Sequence, residues 1–578
     1  MKYFTKNIRL YKNISMPRRV NLQHVFLFIL IVCFNAGCKQ KHAITKEIEI
    51  VNTPEQMDAQ VSDNIKAVLL FANDNNGKIN DSITLSQHVL VNHFYDKNNY
   101  ESIWSSKEAW QPLADSMFDF IEHAKYYGLY PNEYYYKELD SLRKKIANDS
   151  LTRMDAITWT KADLMLTDAF MKMLKDLKEG RLLPDSVSIA AKEKFADSFF
   201  VKNLNEARNS KSITAHLNSV EPSHEEYQSL RGVLKKFVDS MDTKKYLYLN
   251  YPYTDSIAFI KNLHKRLLQS GYGNSKIELP DSTTLSKELK KYQAEHKLKV
   301  DGIPGPSVVR KLNSNDNEKF KRIAITLDRY KMLPPLAESY IWVNIPGFYL
   351  KVFDHDSMVL ESKVVVGKAS TRTPVLTSAI TDMVTYPQWT IPESIIRKDI
   401  LPALKQDPGY LSRKGFSLVD SKGETVNPYT VNWSKYSKGI PWKVVQGSGD
   451  DNALGVFKFN FSNPYSVYLH DTNQRYLFKN SDRALSHGCV RVENWQGLAF
   501  FIARQDSLAM EEGQAVSYNE DSIKTWIANK ERKRIMVKKR LRLYIEYFTC
   551  EAKNDKIHFY DDIYNNDKYL AQKYFANK

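Results

Sequence analysis

The hydrophobic period of this chain changes at about residue 338. Upstream, apolar residues recur every three or four positions. Leu113, Met117, Phe120, Ile121 and Ala124 mark one such helix face, stopped at Gly128. Leu166, Phe170, Leu174 and Leu177 mark another, on an amphipathic helix predicted over 162–178 with Gly180 at its end. Downstream, short β-branched runs take over: Tyr340 to Ile345, Tyr349 to Phe353, Lys363 to Val366 and Ile380 to Thr385. At 578 residues the chain is too long for one compact domain. The fold class predicted is multidomain α+β, with a helical unit over 81–275 and a β-rich unit over 338–570.

Three further segments stand out. Residues 38–80 are polar and read as a tether. Residues 276–316 form a small module, in which Leu285, Leu289, Tyr292 and Leu298 punctuate a helix. Asp301-Gly302 and Pro304-Gly305 then set tight turns. Residues 393–440 interrupt the β pattern with Ile400-Leu401-Pro402 and Asp407-Pro408-Gly409-Tyr410-Leu411. An insertion between strands near a site reads as a lid, or as a cap that never moves. At the end of the chain, 543–549 and 557–560 read as a closing hairpin, and the basic run 530–542 as a solvated loop.

Chemistry concentrates in Ser486-His487-Gly488-Cys489-Val490-Arg491 and in His470 upstream, at the end of the strand-like run Tyr465 to Leu469. A thiol is a weak nucleophile until its proton is taken, and an imidazole within reach takes it and holds the thiolate as an ion pair. Gly488 lets backbone approach a substrate, and the amides around Gly488 and Cys489 suit the oxyanion of a tetrahedral intermediate. Other readings stay open: Cys489 and the two histidines as zinc ligands, an inert buried cysteine, or a disulfide from Cys489 to Cys550.

Residues 1–37 hold six basic residues and no acid, then an apolar run from Val25 to Phe34, then Asn35-Ala36-Gly37-Cys38. This order describes a secretory signal. Removing it lowers the net charge from +16 to +10, with 77 basic and 67 acidic residues left. That balance does not call for nucleic acid as a partner; a polyanionic wall or a lipid surface accounts for it. So few cysteines in an exported chain exclude a disulfide scaffold.

Three resemblances follow from these residues. Ala36-Gly37-Cys38 resembles a bacterial lipobox, which implies acylation of Cys38 and a lipid anchor on the periplasmic side of the cell envelope. The pattern Tyr292-Gln293 to His296, then Val300-Asp301-Gly302 and Gly305-Pro306, resembles a three-helix peptidoglycan-binding domain. The order His470-Asp471-Thr472, thirteen residues, then Ser-His-Gly-Cys resembles the L,D-transpeptidase (YkuD-type) motif. Arg491 after Cys-Val looks like the large periplasmic branch of that family, as do phrases of the helical scaffold such as Gly-Leu-Tyr-Pro-Asn-Glu-Tyr at 128–134.

The last resemblance implies a β-rich sandwich with a lid and an acyl transfer between peptidoglycan stem peptides. Cys489 is then the nucleophile and His470 the proton carrier, oriented by the backbone carbonyl of Asp471. His487 and Gly488 line the oxyanion side. Arg491, Ser486 and Asp471 are expected on the substrate side. No metal or cofactor is implied, and carbapenem-type inhibitors are expected to bind. An L,D-carboxypeptidase that trims stems, or a wall-binding lipoprotein without catalysis, are the alternatives.

Overall fold

The computed structural model describes residues 47–575, apart from 185–193, 211, 274–275, 297, 356 and 510–516. The signal segment and Cys38 lie outside the described residues.

The helical unit is built around Ala156–Lys178, which Asp155 caps by accepting from the Ile157 amide at 3.1 Å. This helix is buried on nearly all sides, not on the one predicted face. Its polar residues bind neighbouring segments instead of water. Asp163 accepts from the Trp104 amide at 3.1 Å, and Asp168 accepts from the Gln87 amide and from Tyr135. Burial pushes the Asp163 carboxyl up to about 6.

The predicted tether is also corrected. Pro54–Asp74 is a helix whose Met57, Val61, Ile65 and Leu69 enter the same core. Apolar residues four apart suffice to bury one stripe of an otherwise polar helix. Downstream, Ser256–Gln269, Ser282–Glu295 and Pro306–Asn313 share a core of Phe259, Leu263, Leu289, Tyr292 and Val309. The module therefore starts before the predicted residue 276. Gly302 sits at φ +71°, with Ser286 where a Cβ would go.

Eight strands of a ten-stranded sheet make its closed path: β1 (Ser339–Asn344), β2 (Tyr349–Asp354), β3 (Ser357–Gly367), β4 (Leu376–Thr385), β5 (Phe457–Phe461), β6 (Leu469–His470), β7 (Val490–Val492) and β8 (Arg542–Glu546). Their order is β5-β6-β7-β3-β2-β1-β8-β4, and β4 pairs with β5 again, so the sheet closes on itself. The interior holds Ile341, Val343, Val364, Phe457, Phe459, Leu469, Val490 and Val492, covered at one end by helix Trp495–Leu508.

Two of the C-terminal expectations are corrected. The final hairpin is Cys550–Lys553 with Lys556–Phe559, because β8 is taken up in parallel pairing with β1. The basic run contains the strand Arg534–Met536 on β4, held by Arg534 against Asp382 at 3.0 Å.

The helical and β units share a core. Helices Glu225–Ser240 and Asp316–Lys331 set Leu230, Leu234, Ile323 and Leu327 against Tyr340, Trp342 and Tyr544 of β1 and β8. Residues 389–446 form the insertion, a four-stranded sheet and short helices around Ile396, Leu401, Leu404, Leu418, Trp433 and Val444. It has a core of its own, so it moves or stays as one body.

Candidate active site

Strand alternation builds the site. Along β6 and β7, Leu469, Val490 and Val492 point into the barrel. β6 and β7 are parallel, with Leu469 opposite Val490 and His470 opposite Arg491. Residues on either side of the core positions therefore share the other face: Tyr468 and His470 from one strand, Cys489 and Arg491 from the next. β5 adds Lys458, which pairs with His470 while Phe457 and Phe459 fill the core. The two halves of the predicted motif are thus neighbouring strand ends.

His470 is buried, and its Nδ1 donates to the backbone carbonyl of Asp471, as the family resemblance implied. That fixes the tautomer and leaves Nε2 as the proton-accepting nitrogen. Burial, then the Arg491 charge, depresses the His470 pKa to about 3. Cys489 is partly exposed at its surface and closely surrounded at its sulfur, and burial pushes its thiol up. Both shifts favour a neutral thiol beside a neutral imidazole. Burial therefore works against the expected resting thiolate–imidazolium pair, because it opposes charge on either partner.

Other predicted residues brace the loop. Ser486 is 2% exposed; its hydroxyl donates to the Cys489 carbonyl at 2.6 Å and accepts from the Gly488 amide at 3.1 Å. Gly488, at φ +122°, gives its carbonyl to Thr373 at 2.8 Å. Its amide is therefore committed within the loop, not left for an oxyanion. Asp471 is buried and accepts from the Val456 amide at 3.1 Å and from Arg475 at 2.6 Å. Ser486 and Asp471 are accordingly structural rather than substrate-facing. Arg491 stays on the site face; it donates to Gln474 at 2.9 Å and buries an Nε with no partner. His487 points outward, its Nε2 3.0 Å from Asp399 in the π-helical turn Ile396–Ile400 of the insertion.

Several participants were not found by sequence reasoning. Thr371 donates to the Ser486 carbonyl at 3.0 Å, and Thr373 accepts from the Gly367 amide at 2.9 Å, so the loop after β3 supports the cysteine loop. Tyr468 lies edge-on to His470, ring centroids 5.6 Å apart and planes at 61°, and Trp389 at the root of the insertion buries its Nε1 beside Tyr468. The run Phe-Lys-Phe-Asn-Phe at 457–461 carried the signal for Lys458, since its alternation sends the lysine away from the core.

Cys489 and Cys550 are both free, and Cys550 is buried with its Sγ 3.3 Å from Thr326 Oγ1, so the disulfide reading fails. Among the described residues no group of three or more His, Cys, Asp or Glu is placed to hold a metal ion.

Comparison with known proteins bears on three segments. Residues 338–505 match the model of an L,D-transpeptidase catalytic domain (YkuD), and residues 89–234 that of a scaffold domain. Residues 258–312 match a model described as "Putative peptidoglycan binding domain". A curated Haemophilus influenzae relative, described as "Putative L,D-transpeptidase", is 32% identical over 257 residues, 44% of this chain and 50% of the relative. The chain thus spans half the length of that relative. A crystal structure of an Enterococcus faecium L,D-transpeptidase mutant is 12% identical and covers 36% of this chain and 50% of its own, with TM-score 0.15. One of a Stackebrandtia nassauensis L,D-transpeptidase (Yku) is 13% identical and covers 52% and 97%, with TM-score 0.16.

Proposed function

We propose, for a chain whose residues 338–505 belong to the L,D-transpeptidase catalytic family, that Cys489 transfers an acyl group between peptidoglycan stem peptides and forms 3→3 cross-links. The observation that carries this is the common face of Cys489, His470 and Arg491, with His470 Nδ1 anchored to the Asp471 carbonyl.

The neutral resting pair sets the order of events. The Cys489 sulfur attacks the carbonyl at the L-centre of the diamino acid while its proton passes to His470 Nε2. The oxyanion is received on the side of the Cys489 amide, since the Gly488 amide is already bonded. Collapse breaks the bond to the terminal D-Ala, whose amine takes the proton from His470, and a thioester remains. The side-chain amine of a second stem then attacks the thioester and gives its proton to His470. The departing sulfur recovers that proton. Arg491 meets a substrate carboxylate through its planar fork.

The three-helix module over Ser256–Asn313 would hold the enzyme on the wall, and a lipid on Cys38 would hold it to the membrane at the periplasmic side. No helix among the described residues is long and apolar enough to cross a membrane.

The test is incubation of the full-length protein in detergent with disaccharide-tetrapeptide, followed by mass spectrometry. Cross-linked dimer one D-Ala lighter than two monomers supports transfer. Tripeptide monomer alone makes the protein a carboxypeptidase, and the absence of both products overturns the reading.

A further inference from the structure

A partly buried lysine normally has a counter-ion, because an isolated ammonium in a dry site is costly. Lys458 has none: among the described residues no hydrogen bond or ion pair holds its Nζ. The carboxylate within reach on the next strand, Asp382, is engaged by Arg534 at 3.0 Å and by Asn460 at 2.8 Å. The ammonium instead lies over the Tyr468 ring, 3.9 Å from its centroid. Its strand position is opposite His470, and His470 is opposite Arg491, two residues beyond Cys489. The cation therefore looks onto the face that carries the sulfur.

The charged and titratable groups facing Cys489 are few. β5 offers Lys458, β6 offers His470, the residue before β6 is Tyr468, which also hydrogen-bonds the thiol, and β7 offers Arg491. Arg491 also faces the sulfur without a carboxylate, but its guanidinium is held by hydrogen bonds to Gln474 at 2.9 Å and Thr472 at 3.4 Å, whereas the Lys458 ammonium is held by the Tyr468 ring alone.

Building on the acyl-transfer reading above, we propose that Lys458, held on the Tyr468 ring, is the charge-supplying residue of the site, and that its ammonium stabilises the Cys489 thiolate as it forms. The shifts agree in direction. Burial lowers the Lys458 pKa, as expected for an unpaired cation, and the Lys458 charge opposes the burial that raises the Cys489 thiol. His470 then serves as a proton carrier that starts neutral, and the negative charge on sulfur has a separate, permanent partner.

The test reads the thiol directly and needs no stem peptide. Full-length protein is alkylated with iodoacetamide from pH 6 to 10, and the Cys489 peptide is quantified by mass spectrometry, apart from Cys550. Lys458→Met is expected to raise the apparent thiol pKa by about one unit and to slow alkylation at pH 7.5 roughly tenfold. Lys458→Arg is expected to restore the wild-type profile. Should Lys458→Met fail to fold, Lys458→Gln carries the same expectation. A profile that does not shift in a folded variant overturns the proposal, and so does a raised KM for tetrapeptide with an unshifted profile, which would make Lys458 a substrate-binding group. A shifted profile in a protein that makes no cross-link sinks the acyl-transfer reading and leaves this inference standing.

Discussion

Gly455→Ala tests how the proton carrier is held. Gly455 lies at φ +63°, and an added Cβ would come 2.2 Å from Asp471 Oδ2 and 2.6 Å from the Thr472 amide nitrogen. The left-handed backbone alone costs about 1–2 kcal/mol for a residue with a Cβ. Relief of the clash must move Asp471, which releases its bonds from the Val456 amide and Arg475. Each is worth about 0.5–1.5 kcal/mol, so the expected destabilisation is roughly 2–5 kcal/mol. The functional effect follows from the same shift, because the Asp471 carbonyl fixes His470. A misplacement near 1 Å at a reacting group is worth on the order of a hundredfold in rate. Urea denaturation should show a lower midpoint with an unchanged slope, and tetrapeptide turnover should fall by one to two orders of magnitude, roughly in line with that estimate. Arg475→Met is the control: its guanidinium is half exposed, so the loss should stay below about 1 kcal/mol. A Gly455→Ala protein with wild-type midpoint and wild-type turnover would refute the reasoning.

Cys489→Ala should abolish turnover and leave the melting transition nearly unchanged; retained turnover would remove the nucleophile. A carbapenem should add its mass to Cys489, and His470→Ala should slow that reaction by roughly two to four orders of magnitude; an adduct on Cys550 instead would discredit the site. Burial raises the Glu546 carboxyl to about 8 against an ordinary 4.5, so the folded state holds a proton that the unfolded state has lost between those values. Stability should therefore fall as pH rises through that window, and Glu546→Gln should gain a few kcal/mol at pH 9 relative to pH 5, at about 1.4 kcal/mol per unit; equal gains at both pH values would contradict the assignment. Cys38→Ser should release the protein from detergent-phase partitioning; a wild type that is cleaved yet wholly aqueous would remove the lipid anchor.

What the sequence displayed was whatever a single segment could carry. The switch to β-branched runs at 338 was visible because alternation is local, and so was the cysteine loop because its spacing from His470 is local to two strands. Pro54–Asp74 stayed hidden because a stripe of four apolar residues is weak against a polar background, and only the partner helix shows that it is buried. Ala156–Lys178 looked two-faced because Asp163 and Asp168 are polar; their partners lie some sixty and eighty residues away. The roles of Ser486 and Asp471 were misplaced for a related reason. A polar side chain in a catalytic motif can face the substrate or the backbone of its own loop, and only burial and bond partners decide. Lys458 belongs to the same class: its importance arises from register with His470, which no single strand contains.

The neutral pair also has a chemical rationale. The attacking species is the thiolate, and oxidants and alkylating agents select for it as substrates do. With burial raising the Cys489 thiol and lowering the His470 imidazole, slow reaction with both is the expected outcome. Substrate changes that balance without any rearrangement of the barrel. A bound carbonyl offers the sulfur a bond as its proton leaves for Nε2, so free thiolate never accumulates. The insertion bears on the same point. Its Asp399 meets His487, two residues before the nucleophile, and its Trp389 lies within hydrogen-bond reach of Tyr468. Whatever shifts the 389–446 body therefore changes the dryness of the sulfur and the strength of every charge beside it, Lys458 included. Opening that body should lower the apparent thiol pKa by admitting water. His487→Ala, which cuts the link to Asp399, should then speed iodoacetamide alkylation while slowing peptide transfer. A variant in which both rates move together would show that the link governs access alone and not the electrostatics of the site.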